Sequence, residues 1–144
     1  MALKDKKIDA AHTVDPGLVD TIRAKLDGGQ LACAKAFAIA EERGVPRLAV
    51  GRAADVEKIH LTRCQLGLFG YPDHARFWET NKVSDVAKPA GLDEAILASR
   101  DKTGIISCAA LMAVADRFGL PKIMAGYWAD QLGTRVKHCQ LGAF

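Results

Sequence analysis

The sequence LACAKAFAIAEERGVPRLAVGRAADVEKIHLTRCQLGLF, residues 31–69, has a second copy, ISCAALMAVADRFGLPKIMAGYWADQLGTRVKHCQLGAF, residues 106–144. The two stretches align without a gap, and each ends in Cys-Gln-Leu-Gly-x-Phe. Identical pairs include Cys33/Cys108, Gly44/Gly119, Pro46/Pro121, Gly51/Gly126 and Cys64/Cys139. Because an internal repeat indicates duplicated structural units, we expect two copies of one fold.

Length and composition indicate a globular protein. The chain has 144 residues, of which 49% are hydrophobic, so it can bury a normal core. The lysines near the N-terminus precede no apolar run, and no later window approaches the roughly 20 apolar residues of a membrane helix. We therefore expect a cytoplasmic protein with no membrane partner. The formal net charge of +3 is compatible with a polyanionic partner but does not identify one.

Turn residues divide the chain into a mobile arm (1–14), repeat 1 (15–70), a linker (71–90) and repeat 2 (91–144). Asp15 followed by Pro16 predicts a helix start, and this helix should end at Gly28-Gly29. Further helices are predicted over 31–43, 46–58, 92–102, 106–118 and 121–132, with strands over 59–65 and 134–140. The predicted fold is mainly α: two tandem helix-turn-helix-like repeats, each of three helices and a short terminal β-strand, related by a pseudo-twofold axis.

Two further expectations concern packing. The two strands carry the same alternation of apolar and polar residues and would each expose an edge, so we expect 59–65 to pair with 134–140. In the linker, Asp73 is a candidate cap for a short helix through Phe77 and Trp78. Because long unstructured loops are uncommon in compact domains, these two aromatic residues should pack across one or both copies.

The short connections at 44–46 and 119–121 force each pair of helices to cross steeply. A small residue, Ala40, precedes Gly44 and the apolar Val45 in the first copy, and Ala115, Gly119 and Leu120 match them in the second. This pattern resembles the helix-turn-helix superfamily. With the strand as a rudimentary wing, it is similar to winged-helix proteins, including the DNA-binding half of molybdate-responsive regulators. The resemblance implies a transcriptional regulator that binds double-stranded DNA as a pseudo-symmetric monomer or as a homodimer.

If the third helix of each copy reads DNA, its outward residues are the candidate contacts: Arg47, Arg52, Lys58, Lys122, Tyr127 and Gln131. Arg63, Arg135 and Lys137 on the strands are candidate backbone contacts. Arginine can bind guanine edges or phosphates, lysine mainly phosphates, and glutamine adenine. Two features oppose this reading. Asp55, Asp130 and Glu57 place negative charge on the same helices, and the mid-helix glycine indicates close packing against another backbone.

The cysteines are the second set of candidate functional residues. Each copy has one cysteine at the start of its second helix and one in its strand: Cys33, Cys64, Cys108 and Cys139. A thiol in the first turn of a helix has a lowered pKa, and four converging thiolates could bind zinc or an iron-sulfur cluster. The Cys-x-x-Cys spacing of such sites is missing, and buried small hydrophobes are the plainer interpretation.

The alternatives to DNA binding are a thiolate metal or redox sensor and a protein-interaction or assembly module. The latter would present Tyr127, Trp128 and the aromatic linker to a partner. The repeated ending carries no acid, base or nucleophile, so we interpret it as structural; it resembles small uncharacterised bacterial proteins, a likeness that implies no activity. No phosphate-binding loop and no hydrolase motif occurs in the sequence, so we expect neither an enzyme nor a cofactor other than the zinc or cluster alternative.

Overall fold

The computed structural model describes residues 15–83 and 87–144. The predicted arm, 1–14, lies outside the described residues, as does part of the predicted linker, 84–86. The described chain is mainly helical, with short paired strands. None of its described helices has the length and apolar character needed to cross a bilayer.

Seven α-helices and four short β-strands make up the regular structure of the described residues. The helices are α1 (Pro16–Ala24), α2 (Cys33–Arg43), α3 (Arg47–Val56), α4 (Phe77–Thr80), α5 (Leu92–Ala98), α6 (Cys108–Arg117) and α7 (Lys122–Gln131). The strands are β1 (Leu31–Ala32), β2 (Leu61–Thr62), β3 (Ile105–Ser107) and β4 (Arg135–Lys137). A 3-10 turn covers Pro72–His74.

The chain folds into two compact units. The described part of unit 1 runs to Cys64 and also includes the C-terminal segment Gln140–Phe144. Unit 2 is Gln65–Cys139. The units therefore differ from the sequence repeats at one feature: the residues that follow the second cysteine of each repeat are grouped with the helices of the other repeat.

Unit 1 is built around the α2–α3 pair, with α1 packed against both helices. Asp15 caps α1 as predicted, since its side chain accepts from the backbone N–H of Gly17 at 3.0 Å, and Pro16 is the first helical residue. Gly44 ends α2 in the left-handed conformation at φ 64°, as the sequence predicts for a C-cap. Large apolar side chains that are almost fully buried form the core: Ile22, Leu31, Ile39, Val50 and Leu141.

Unit 2 contains the α6–α7 pair together with α4 and α5. The hydroxyl of Ser107 caps α6 by accepting from the backbone N–H of Ala110 at 3.1 Å. Gly119 stands between α6 and α7 with φ 64°. The almost fully buried side chains of this unit are Leu66, Leu92, Ile96, Ile106, Leu111 and Met124.

The strand pairing differs from the prediction. β2 pairs in parallel with β1, with Leu61 beside Leu31, and β4 pairs in parallel with β3, with Val136 beside Ile106. The predicted pairing of 59–65 with 134–140 is therefore wrong. The helical pattern predicts helices from residues 31 and 106, whereas the residues directly before α2 and α6 are extended strands. Each helix pair is thus the crossover that joins two parallel strands.

Other boundaries also shift. The first helix ends at Ala24, before Gly28-Gly29, and the terminal strands are shorter than predicted. In the linker, Asp73 does not cap the helix through Phe77 and Trp78. The N-cap of α4 is Arg76, whose backbone N–H donates to the carboxylate of Glu79 at 2.9 Å. This capping box of an arginine with a glutamate lacks the serine or threonine on which sequence recognition depends.

The mid-helix glycines lie against the repeated endings. A Cβ added at Gly51 would be 1.8 Å from the carbonyl oxygen of Leu141 in unit 1. A Cβ added at Gly126 would be 1.9 Å from the carbonyl oxygen of Leu66 in unit 2. The glycines therefore allow a backbone segment to lie directly on α3 and on α7, as the sequence indicated.

Candidate nucleic-acid interface

The first turn of α3 is partly occupied by other groups of unit 1. The guanidinium of Arg47 lies over the ring of Phe37, 4.0 Å from its centroid, and also donates to the side-chain oxygen of Gln140. The Cδ1 atom of Leu48 would be 3.0 Å from a Cβ at Gly142, so the C-terminal segment runs beside this turn. Arg47 is exposed but is held by these contacts. Its charge is therefore less available to a ligand than its predicted outward position indicates.

Arg52 is the accessible arginine of α3. Its side chain is exposed, as are those of Lys58 and Arg63 further along the chain. None of these three cations takes part in an ion pair with any residue that the structure describes. Their charges are therefore available to a ligand.

The acidic residues beside these cations interact with other residues of the chain. The carboxylate of Glu57 is 2.8 Å from the guanidinium of Arg23 on α1, which compensates its charge. Asp55 is half-buried and also makes an interaction of its own. The repulsion of phosphate that the sequence suggested is thus reduced on this helix. Sequence reasoning missed the contribution of Arg23, because nothing in its spacing relates α1 to the end of α3.

The equivalent helix of unit 2 is covered. Tyr127 is half-buried between Trp78 and Trp128, with ring centroids 5.9 and 4.9 Å away. The indole N–H of Trp78 donates to the carboxylate of Asp130 at 3.2 Å. The linker therefore packs on the second copy through α4, and Tyr127 contributes to this packing.

Arg76 reinforces the same contact. Its guanidinium forms an ion pair with Asp130 and another with Glu79, the latter at 2.7 Å. The hydrogen bond to Glu79 and the charge of Asp130 raise the pKa of Arg76 above its ordinary value. In turn, hydrogen bonds from Arg76 lower the pKa of Glu79. In the sequence, the only sign of a role for Asp130 is that the same residue, Asp55, stands at the equivalent position of the first copy.

The remaining candidates of unit 2 lie at the ends of its elements. Lys122 is half-buried, with its ammonium 3.8 Å from the carboxylate of Asp116. Gln131 is exposed at the last residue of α7, and Arg135 and Lys137 are exposed on β4. The outward face of α7 therefore offers Gln131 but no exposed cation.

The cysteines occupy the predicted helix starts. Cys33 and Cys108 are the first residues of α2 and α6, while Cys64 and Cys139 follow β2 and β4 and do not lie within those strands. All four are thiols, and all but Cys139 are buried. Within residues 15–83 and 87–144, no group of three or more histidine, cysteine, aspartate or glutamate side chains is placed to hold a metal ion. The described residues thus give the zinc and cluster alternatives no geometric support, and the redox alternative stays a prediction.

Comparisons with family models, with curated proteins and with solved structures gave no match for this chain.

Proposed function

We propose that the chain is a DNA-binding regulator in which α2 and α3 of unit 1 form the helix-turn-helix and α3 is the helix that enters the groove. The connection between these helices is three residues long, 44–46, and turns at the left-handed Gly44. Such a turn is typical of the motif, which places its second helix in the major groove.

One observation carries this proposal: α3 keeps an exposed, unpaired cation where α7 does not. Arg52 is exposed and outside every ion pair of the described residues, whereas the equivalent Tyr127 is packed between tryptophans. Lys58 and Arg63 add exposed positive charge after the helix. Arginine can contact both phosphates and guanine edges, so Arg52 is the central contact in this proposal.

The same proposal includes the tandem arrangement: two helix-turn-helix units related by a pseudo-twofold axis. It is supported by the ungapped repeat and by left-handed backbone at equivalent positions. Gly44 and Gly119 both have φ 64°, and Arg63 and His138 have φ 48° and 57°. We propose that unit 1 supplies most of the binding and that Gln131, Arg135 and Lys137 of unit 2 add secondary contacts.

The test is the affinity of variants for a random-sequence DNA duplex at low salt. We expect the pair Arg52→Ala and Arg63→Ala to weaken binding by about tenfold or more, because two phosphate or base contacts are lost. Replacing both Lys122 and Lys137 with alanine removes the same number of positive charges from unit 2 and is the matched control, with an expected change of about twofold or less. Arg47→Ala should lie between these values, since Arg47 is already held by Phe37 and Gln140.

Fluorescence anisotropy of a labelled duplex measures these affinities, and circular dichroism checks that the helices are retained. If the unit 2 pair weakens binding as much as the unit 1 pair, α3 is not the main contact. If the wild-type chain binds no duplex at low salt, the proposal fails.

A second candidate function is protein interaction through the same helix. Leu48 and Val56, one turn before and after Arg52, are 39% and 38% exposed. An exposed arginine between apolar side chains is also typical of protein interfaces. Replacing Leu48 and Val56 with alanine should change duplex affinity little if α3 binds DNA mainly through charge. If the wild-type chain binds no duplex, the protein-interaction module is the better interpretation.

A further inference from the structure

The C-terminal segment Gln140–Phe144 occupies a groove on α3 that only a glycine at position 51 permits. The carbonyl oxygen of Leu141 lies where the Cβ of any other residue would be, and the Leu141 side chain is 1% exposed. Gln140 accepts a hydrogen bond from Arg47 at the start of the same helix. This segment is bound along α3 in the manner of a short peptide.

The hinge before this segment is short and carries backbone strain. β4 ends at Lys137 and the segment begins at Gln140, so only His138 and Cys139 connect them. His138 has φ 57°, a left-handed conformation that costs energy for a residue with a side chain. Short hinges under strain favour exchange of the segment they hold, because an extended hinge relieves the strain.

The residues of this segment are grouped with unit 1 and not with the unit that precedes them in the chain. Unit 2 ends at Cys139, and its own groove at Gly126 is filled by Leu66, an internal residue.

We propose that this groove accepts the C-terminal segment of a second copy of the chain, so that two chains exchange their Gln140–Phe144 segments. The contacts in the exchanged pair are those already formed within one chain, which is why such exchange is a low-cost route to a dimer. The intramolecular arrangement dominates at low concentration, since the chain's own segment has a high effective concentration at the groove.

The test mixes two full-length variants, each defective in one half of the contact. Gly51→Ala blocks the groove and leaves the segment intact, since alanine favours a helix but its Cβ meets the Leu141 backbone. Leu141→Asp keeps the groove and disables the segment, since a carboxylate is costly to bury there. Mixed at equal concentration, the two should form a one-to-one heterodimer, because the intact segment of the first fits the empty groove of the second.

Gly126→Ala mixed with Leu141→Asp is the matched control. It blocks the groove of unit 2, while its C-terminal segment stays on its own α3, so no heterodimer is expected. Native mass spectrometry of each mixture reports the species formed. No heterodimer from Gly51→Ala and Leu141→Asp, with both variants helical by circular dichroism, overturns the proposal.

A second measurement decides the matter if either variant fails to fold. Wild-type chain is unfolded in denaturant and refolded at low and at high protein concentration, and its dimer fraction is measured by native mass spectrometry. Exchange predicts a dimer fraction that rises with the refolding concentration and that returns to monomer after refolding at high dilution. A fraction independent of concentration contradicts the exchange.

Discussion

Gly51 and Gly126 are single residues that determine what can lie on α3 and α7. At both positions, the space that a side chain would take is occupied by the carbonyl of a leucine from a repeated ending. A glycine in mid-helix costs about 1 kcal/mol relative to alanine, so its presence in both copies indicates a compensating contact. The sequence therefore predicted a close backbone approach. It could not identify the approaching segment, because both endings have the same residues at the contact.

Gly51→Ala should destabilise the chain by about 1–3 kcal/mol, because the added Cβ would overlap the Leu141 backbone and a backbone moves aside less easily than a flexible side chain. Gly17→Ala is the control, because the nearest atom there is the flexible guanidinium of Arg43. Denaturant unfolding measures both. Truncation after Cys139 should remove the penalty of Gly51→Ala, and a penalty that persists in the truncated chain would place the clash elsewhere.

At the scale of elements, the two third helices differ in what covers them. α7 is covered by α4 through Trp78 and Arg76, while α3 keeps exposed Arg52, Leu48 and Val56. The sequence predicted that the linker aromatics pack on the repeats. They cover the second copy, through the contacts of Arg76 and Trp78 with Asp130. The first copy has the same acidic residue, Asp55, at the equivalent position, so the sequence does not show which copy is covered. Such a choice depends on tertiary packing and not on local pattern.

We expect the stability that the turn before β3 contributes to depend on pH. The Asp101 carboxylate accepts from the Thr103 hydroxyl at 2.6 Å, and also from the backbone N–H groups of Thr103 and Ile105 at 2.8 and 3.1 Å. These bonds, the Thr103 hydroxyl first, lower the pKa of Asp101 below its ordinary 3.8. Because the folded-state pKa is lowered, the stabilisation is present above about pH 4 and is lost as pH falls through the folded value.

Asp101→Asn should therefore lower the denaturant midpoint at neutral pH, and the difference from wild type should shrink as pH falls below about 4. Asp20→Asn, at an exposed position of α1 that forms no ion pair within the described chain, is the control. Midpoints measured across this range test the prediction. A difference between wild type and Asp101→Asn that does not depend on pH would show that the turn does not depend on the charge of the carboxylate.

For the whole molecule, the sequence predicted the mainly helical fold and the approximate helices, because the helical pattern and the turn residues Gly44 and Pro46 are local signals. It did not predict the parallel pairing of β1 with β2, since two-residue strands carry no readable alternation. It also did not predict that Gln140–Phe144 would complete unit 1. Among the candidate contacts, the exposure of Arg52 agrees with the outward position predicted for it, whereas the positions of Arg47 and Tyr127 depend on neighbours that no local pattern reveals.

We propose that unit 1 binds DNA through charged contacts centred on Arg52. The most direct measurement is the salt dependence of duplex affinity for the wild type and for Arg52→Ala. We predict that log affinity of the wild type falls linearly with log salt concentration, and that the slope of the variant is shallower by about one unit, since one phosphate contact releases about one counterion. Equal slopes for the two proteins, or no measurable binding by the wild type, would contradict the account.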